Sequence, residues 1–291
     1  MRYKIVHQTV YTYSSSVSVS HHLARLTPRE LPRQQRFTHE LTTEPNALIR
    51  TGWLDYFGNE TAFLTVTGAH RSLNVKATSQ VEVVAGPAPA PGPPWEIARD
   101  GLLSGAQPDN IDAQEFIFAS HFIPSLPALA EYASASFAPG RPVLDVAVHL
   151  AARIHRDFKF DPRATTISTP LEQVLKHRRG VCQDFAHLQI GCLRAFGIPA
   201  RYVSGYLETL PPPGTQKLVG ADASHAWVEF FVPGVGWVDI DPTNNVLPSN
   251  RHIILAWGRD FDDVSPIRGV IVGGGKHHLA VAVDVTPLPQ N

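Results

Sequence analysis

Two periodicities divide the chain. Over residues 1–85 apolar and polar side chains alternate and β-branched residues are frequent, which predicts strands. Tyr3–Tyr11 is one such run, and Phe37–Leu41, Phe63–Val66 and Val81–Val84 follow. Turn signals separate them, among them Asp55-Tyr56-Phe57-Gly58-Asn59, where Gly58-Asn59 marks a hairpin. Short runs at this spacing predict an antiparallel, β-sandwich-like N-terminal domain. Gly86–Pro94 then places five prolines in nine residues and reads as a semi-rigid linker. Beyond it the period lengthens. Helices are expected at Glu115–His121, Ala128–Phe137 and Val143–Asp157, the last with Val143, Val146, Leu150 and Ile154 on one stripe. From Arg201 the pattern returns to strands at Arg201–Leu207, His225–Val232 and Trp237–Asp241. Gly269–Val272 and Leu279–Val285 read as closing strands. The division is therefore 1–85, a β-rich domain; 86–94, a linker; and 95–291, an α+β domain with a β-rich C-terminal tail.

Composition narrows the function. The 291 residues are 43% hydrophobic, enough to bury more than one core, which excludes global disorder. Twenty-five basic residues, of which 19 are Arg, meet 26 acidic ones, and the formal net charge is −1. That balance argues against broad electrostatic capture of nucleic acid or of an anionic membrane. The N-terminus Met1–His7 has no apolar run of signal-peptide length, and no stretch approaches the ~18 apolar residues of a membrane helix. A soluble, cytoplasmic protein is expected. Two Cys exclude a disulfide framework and a Cys-rich metal site, leaving open a single reactive thiol.

The segment Gly180–Pro199 develops that possibility. Phe185, Leu188, Cys192 and Phe196 form an apolar helical stripe, Gly197 suits the C-cap, and Pro199 blocks continuation. Gly180 permits a sharp turn into the helix, so Cys182 falls in its first turn. There the unpaired backbone N–H groups and the helix dipole favour a thiolate, and the same N–H groups can receive an oxyanion. Cys192, on the apolar stripe, reads as a small buried hydrophobe. Asp184 reads as a helix-start residue. His187 reads as a local or buried histidine, because its spacing from Cys182 does not bring the two face to face.

A thiol nucleophile needs an imidazole, and the imidazole needs a group that fixes its tautomer. His225 opens the strand His225–Val232, followed by the turn Pro233–Gly236 and the return strand Trp237–Asp241. If Phe231 opposes Val235, His225 opposes Asp241 and Trp227 opposes Asp239, all on one face. The other face, Ala226, Val228, Phe230 and Val232 with Val238 and Ile240, is wholly apolar and should pack on the core. A histidine and two carboxylates among aromatics mark a site. Strand geometry leaves Asp239 and Asp241 as competing orienters.

Gly180-Val181-Cys182-Gln183-Asp184-Phe185-Ala186-His187-Leu188, Ser224-His225-Ala226-Trp227-Val228-Glu229 and Gly236-Trp237-Val238-Asp239-Ile240-Asp241-Pro242-Thr243-Asn244 resemble the three core motifs of the transglutaminase-like superfamily, in the same order. The stretch Ile253–Pro266 and the β-rich N-terminal region resemble those of bacterial members. The resemblance implies a papain-like α+β core, with the nucleophile helix packed on an antiparallel sheet. It implies Cys182 as nucleophile, His225 as general base and acid, and Asp241 rather than Asp239 as orienter. The aromatic oxyanion donor of the eukaryotic enzymes has no match, since Phe158 and Phe160 cannot donate. The backbone N–H of Cys182 is then the main oxyanion donor and the second is unassigned. No calcium-binding acidic loop of the eukaryotic kind is evident.

The expectation is thiol-dependent acyl transfer on a peptide or protein amide through a thioester, with no cofactor and no metal. Hydrolysis of the thioester, giving a cysteine peptidase or amidase, is the expected outcome; capture by an amine, giving a protein-glutamine transglutaminase, is the alternative. A non-catalytic binding module that keeps the fold is the alternative from another class. A metalloenzyme using His21-His22 or His277-His278 is disfavoured, because adjacent histidines on a strand point to opposite faces. The N-terminal domain carries no nucleophile–base pattern and reads as a structural or substrate-gating unit. The loop from Glu208 to Ser224, with Pro211-Pro212-Pro213-Gly214, is expected to border the cleft. Substrate and oligomeric state are not specified.

Overall fold

The computed structural model describes residues 1–104, 108–209 and 224–289. The expected cleft-border segment Pro211-Pro212-Pro213-Gly214 lies outside the described residues. In chain order the elements begin with β1 (Arg2–Ala24), β2 (Gln34–Glu44), β3 (Ile49–Leu54) and β4 (Glu60–Val83). Helices α1 (Trp95–Leu103), α2 (Pro108–Gln114), α3 (Pro127–Ala133) and α4 (Val143–Asp157) follow. Next come β5 (Lys159–Phe160), α5 (Leu171–His177), β6 (Arg179–Gly180) and α6 (Cys182–Arg194). The chain continues through β7 (Ala200–Leu207), β8 (Ser224–Val232), β9 (Gly236–Ile240), β10 (His252–Gly258) and α7 (Phe261–Val264). It closes with β11 (Ile267–Gly273) and β12 (His277–Pro287).

The N-terminal half forms one antiparallel sheet around two long strands, β1 and β4. Its register shifts between Thr12 and Val17 and again between Val17 and Val19. Such irregularities bend a strand. Different partners flank the two stretches: β12 and β2 lie beside Tyr3–Tyr13 and Asn74–Val83, and β11 and β3 beside Val17–Ala24 and Glu60–Thr65. Tyr13, Val17, Leu41, Leu64, Val66, Leu73 and Val75, drawn from both stretches, share a core. The sandwich-like domain is thus a single bent sheet.

The C-terminal tail corrects the sequence-based division. Grouped there with residues 95–291, it instead supplies β11 and β12 to the N-terminal sheet, with Tyr3 paired to Pro287 and Ala24 to Ile267. The cause is the edge of β1, open along its whole length on the side away from β4. Alternation in the tail turns Val283 and Val285 inward, where they join Tyr3, Ile5, Val81 and Val83 against the second core. The proline segment is also more than a spacer. The carbonyls of Pro93 and Pro91 accept from the first N–H groups of α4, at Val143 (3.0 Å) and Leu144 (3.2 Å), satisfying donors that a helix start leaves free.

The second half is a four-stranded antiparallel sheet, β10-β7-β8-β9, with α6 packed on it. Every residue of α6 from Asp184 to Arg194 is buried, so the helix is enclosed rather than merely amphipathic. Phe185, Leu188, Ile190 and Leu193 are at most 2% exposed, and burying each is worth about 1.5–3 kcal/mol before entropy. Arg194 closes the helix by donating to the carbonyls of Ala200, Phe118 and Arg259. The helix expected at Glu115–His121 is one 3-10 turn, Glu115–Ile117, ended by extended backbone at Phe118.

Candidate active site

The turn into α6 is built by Asp184. Its Oδ2 accepts from the N–H of Val181 at 2.8 Å and from Thr165 Oγ1 at 2.6 Å. The carboxylate lies against Gly180, where a Cβ would stand 2.5 Å from Oδ2, so the position admits only glycine. This fold-back satisfies an orphan donor and leaves Cys182 as the first helical residue, half-buried and in no disulfide. Cys192 is fully buried, its Sγ 3.6 Å from the Leu129 carbonyl, and burial pushes its thiol up to about 12.

Behind the cysteine stands β8. The observed β8–β9 register pairs Glu229 with Asp239 and Val232 with Gly236, two residues from the sequence-based register. A shift of two preserves the face, because side chains alternate with period two. His225, Trp227, Asp239 and Asp241 still share a side. Asp239 accepts from Trp227 Nε1 at 2.8 Å and faces Arg33 at 3.3 Å. Burial and neighbouring Glu229 push its carboxyl up to about 7. It makes no hydrogen bond to His225 among the described residues.

Asp241 takes that role geometrically. Its Oδ2 accepts from His225 Nε2 at 2.8 Å, from His252 Nε2 at 3.1 Å and from Asn244 Nδ2 at 2.7 Å. Its Oδ1 accepts from the N–H groups of Thr243 (2.9 Å) and Asn244 (3.2 Å), supplied by the turn after Pro242. Burial would raise its pKa, but the hydrogen bonds from His225 and His252 outweigh it and hold the carboxyl well below the usual range. Burial alone would likewise depress His225. Hydrogen bonds and charge from Asp241, and then from Cys182, reverse that and lift it from 6.5 to about 10, so the ring is protonated at neutral pH. With Nε2 committed to Asp241, Nδ1 is the ring nitrogen left for the sulfur. His252 is the residue that sequence reasoning missed. Burial lowers its pKa, and its Nδ1 has no hydrogen-bond partner among the described residues, consistent with a neutral ring whose proton lies on Nε2.

His187 is fully buried and neutral, held at about 3 by desolvation, and its Nε2 accepts from the N–H of Phe261. It fixes the helix to the Arg259–Val264 segment and does not serve the thiol. Its ring leans on Tyr202, 5.0 Å between centroids. Tyr202 is 2% exposed, lines the same cleft as Cys182, and its hydroxyl forms no hydrogen bond among the described residues. Phe158 is buried and Phe160 exposed, and neither lines the cleft.

The cleft, about 340 Å³, has Cys182, His225, Val181 and Gln183 on one side. The opposite wall is formed by His7, Thr9 and Tyr11 of β1 with Leu279 and Val281 of β12. One ligand atom each from His225, Asp241 and His252 lies within 4.8 Å of the others, a spacing that could hold a metal ion. Two N–H donors on one carboxylate oxygen already satisfy that set without one. The pairs His21-His22 and His277-His278 form no such group among the described residues.

The fold and this cluster define a class of α+β proteins with a cysteine-bearing helix on an antiparallel sheet. The model for the transglutaminase-like superfamily matches residues 130–242, and that for the bacterial transglutaminase-like N-terminal region matches residues 3–82. An uncharacterized protein of Mycobacterium tuberculosis is 42% identical over 98% of this chain and 93% of its own length. The chain belongs to the transglutaminase-like superfamily, in the bacterial form that carries this N-terminal region. A solved structure from Cytophaga hutchinsonii, titled as a candidate cysteine protease, superposes with a TM-score of 0.78 at 22% identity, covering 100% of this chain and 92% of that one. That likeness establishes the fold. A protein-glutamine gamma-glutamyltransferase of Pseudomonas aeruginosa is 37% identical over a segment covering 34% of this chain and 16% of its own.

Proposed function

We propose that the protein is a thiol-dependent amide hydrolase acting on peptides or proteins. The observation that carries this reading is His225, held by Asp241 on one nitrogen and facing Cys182 at the start of α6. The imidazolium and the helix N-terminus both favour negative charge on the sulfur. The thiolate attacks the amide carbonyl, and the C–N bond breaks as His225 gives its proton to the leaving amine. A thioester to Cys182 remains. Water then attacks it with His225 as base, releasing a carboxylic acid and restoring the thiol. The oxyanion lies at the backbone N–H of Cys182, and the Tyr202 hydroxyl is the second donor. His252 and Asn244 act through Asp241 as positioning residues.

The transglutaminase reading uses the same residues with an amine in place of water, and the name of the Pseudomonas relative supports it. Hydrolysis is favoured by the cleft itself. No Asp or Glu side chain lines it among the described residues, so a lysine ammonium would lose its hydration without a counter-charge. Incubation with a peptide library, followed by mass spectrometry, separates cleavage, ammonia loss and amine incorporation. Cleavage or ammonia loss that disappears in Cys182→Ala is the expected result. Full activity in that variant refutes the mechanism. Inertness of Cys182 toward iodoacetamide at neutral pH would instead favour a binding module. The expected cytoplasmic location is checked by cell fractionation.

A further inference from the structure

The N-terminal sheet contributes no nucleophile, base or orienter, yet it forms one wall of the cleft. His7, Thr9 and Tyr11 of β1 stand beside Val283, Val281 and Leu279 of β12, on the face turned to the second core. His7 is buried with its Nδ1 against Tyr206 Oη (2.9 Å) and its Nε2 against Thr9 Oγ1 (2.9 Å); burial holds it at about 4, so it enters the wall uncharged. Leu279 and Val281 are 45% and 49% exposed, and Ile167, on the opposite lip, is 55% exposed. All three line the cleft that holds Cys182. Exposed large apolar side chains gathered at one mouth mark a surface meant to be covered. No Asp, Glu, Lys or Arg side chain lines this cleft among the described residues.

We propose that this wall is an acyl-donor subsite for an uncharged, apolar side chain flanking the attacked carbonyl, assembled from the first and last strands of the chain. The inference rests on the acyl-transfer reading of Cys182. An apolar group buries against Leu279, Val281 and Ile167. A carboxylate in the same place loses water and meets no Lys or Arg side chain, the His225 imidazolium being already paired with Asp241, and discrimination of tenfold or more follows from burying a few methylenes.

The experiment uses p-nitrophenyl esters of acetate, hexanoate and hemisuccinate with the full chain. Attack by Cys182 breaks the ester C–O bond and releases p-nitrophenolate, read as a burst, and leaves the acyl group on sulfur. The hexanoate is expected to acylate Cys182 at least tenfold faster than the hemisuccinate. Leu279→Glu should reduce that ratio at least fivefold. Val281→Thr, nearly isosteric, should reduce it in the same direction and serves if the first variant fails to fold. Equal burst rates for hexanoate and hemisuccinate in the wild type refute the subsite, as does a ratio unmoved in a folded wall variant. No burst with any ester, together with an iodoacetamide-inert Cys182, refutes the acyl-transfer reading instead.

Discussion

Replacing Asp241 by Asn keeps the shape of the carboxylate and removes its charge. In the native protein His225 titrates near 10 rather than 6.5, although burial pulls the other way. At about 1.4 kcal/mol per power of ten, that rise is roughly 5 kcal/mol of preference for the imidazolium, most of it from Asp241 and the rest from Cys182. With the charge gone, burial dominates and His225 should titrate below 6.5, leaving a neutral ring at neutral pH. NMR of ¹³C-labelled histidine measures this directly, and Cys182→Ser isolates the smaller contribution of the sulfur. Stability follows with a definite sign. A raised histidine pKa stabilises the fold in full below about pH 6.5, where the unfolded chain is protonated too. That contribution declines as the pH rises toward 10. Chemical denaturation should therefore show the variant less stable than the wild type by several kcal/mol at pH 6, with the gap narrowing on the alkaline side. A His225 that still titrates near 10 in Asp241→Asn would refute the assignment of Asp241 as its main partner.

Tyr202→Phe should slow acylation by p-nitrophenyl acetate 10- to 100-fold while changing iodoacetamide alkylation less than twofold, because alkylation at carbon forms no oxyanion. Equal effects on both reactions would assign Tyr202 a packing role. Ending the chain at Pro266 removes β11 and β12, the partners of Tyr3–Tyr13 and Val17–Ala24. Loss of buried Val283 and Val285 alone amounts to about 3–5 kcal/mol. A melting temperature lower by many degrees and new binding of an apolar dye are expected, and an unchanged melt would contradict the single-sheet description.

What could be read before the structure was local. Gly180, Gly197 and Pro199 bracket α6, so the position of Cys182 at its start is written in adjacent residues. The alternation in β8 and β9 gives the shared face of His225 and Asp241 whatever the even register, which is why an error of two residues did no harm. The rest is non-local. The tail alternates like any strand, and nothing within it says that Leu279 pairs with Tyr11 rather than with a neighbour in the second domain. His252 sits in an otherwise apolar strand and reads as a satisfied core histidine until β10 is placed near Asp241. Tyr202 is packed as a core aromatic except for the hydroxyl. The walls of the cleft, assembled from β1, β12 and α6, have no contiguous signature at all.

The pairing of β1 with β11 and β12 also sets an order of events during synthesis. One of the two hydrogen-bonding edges of β1 is committed to residues made long after it, with Tyr3 waiting for Pro287. At about 5–20 residues per second that interval is roughly 15 to 60 s. Throughout it the long edge of β1 is open to mispairing, and Cys182 and His225 are already made while Leu279 and Val281 are not. The residues of β12 that line the cleft, Leu279 and Val281, are therefore added only after those of α6 and β8 that line it with them.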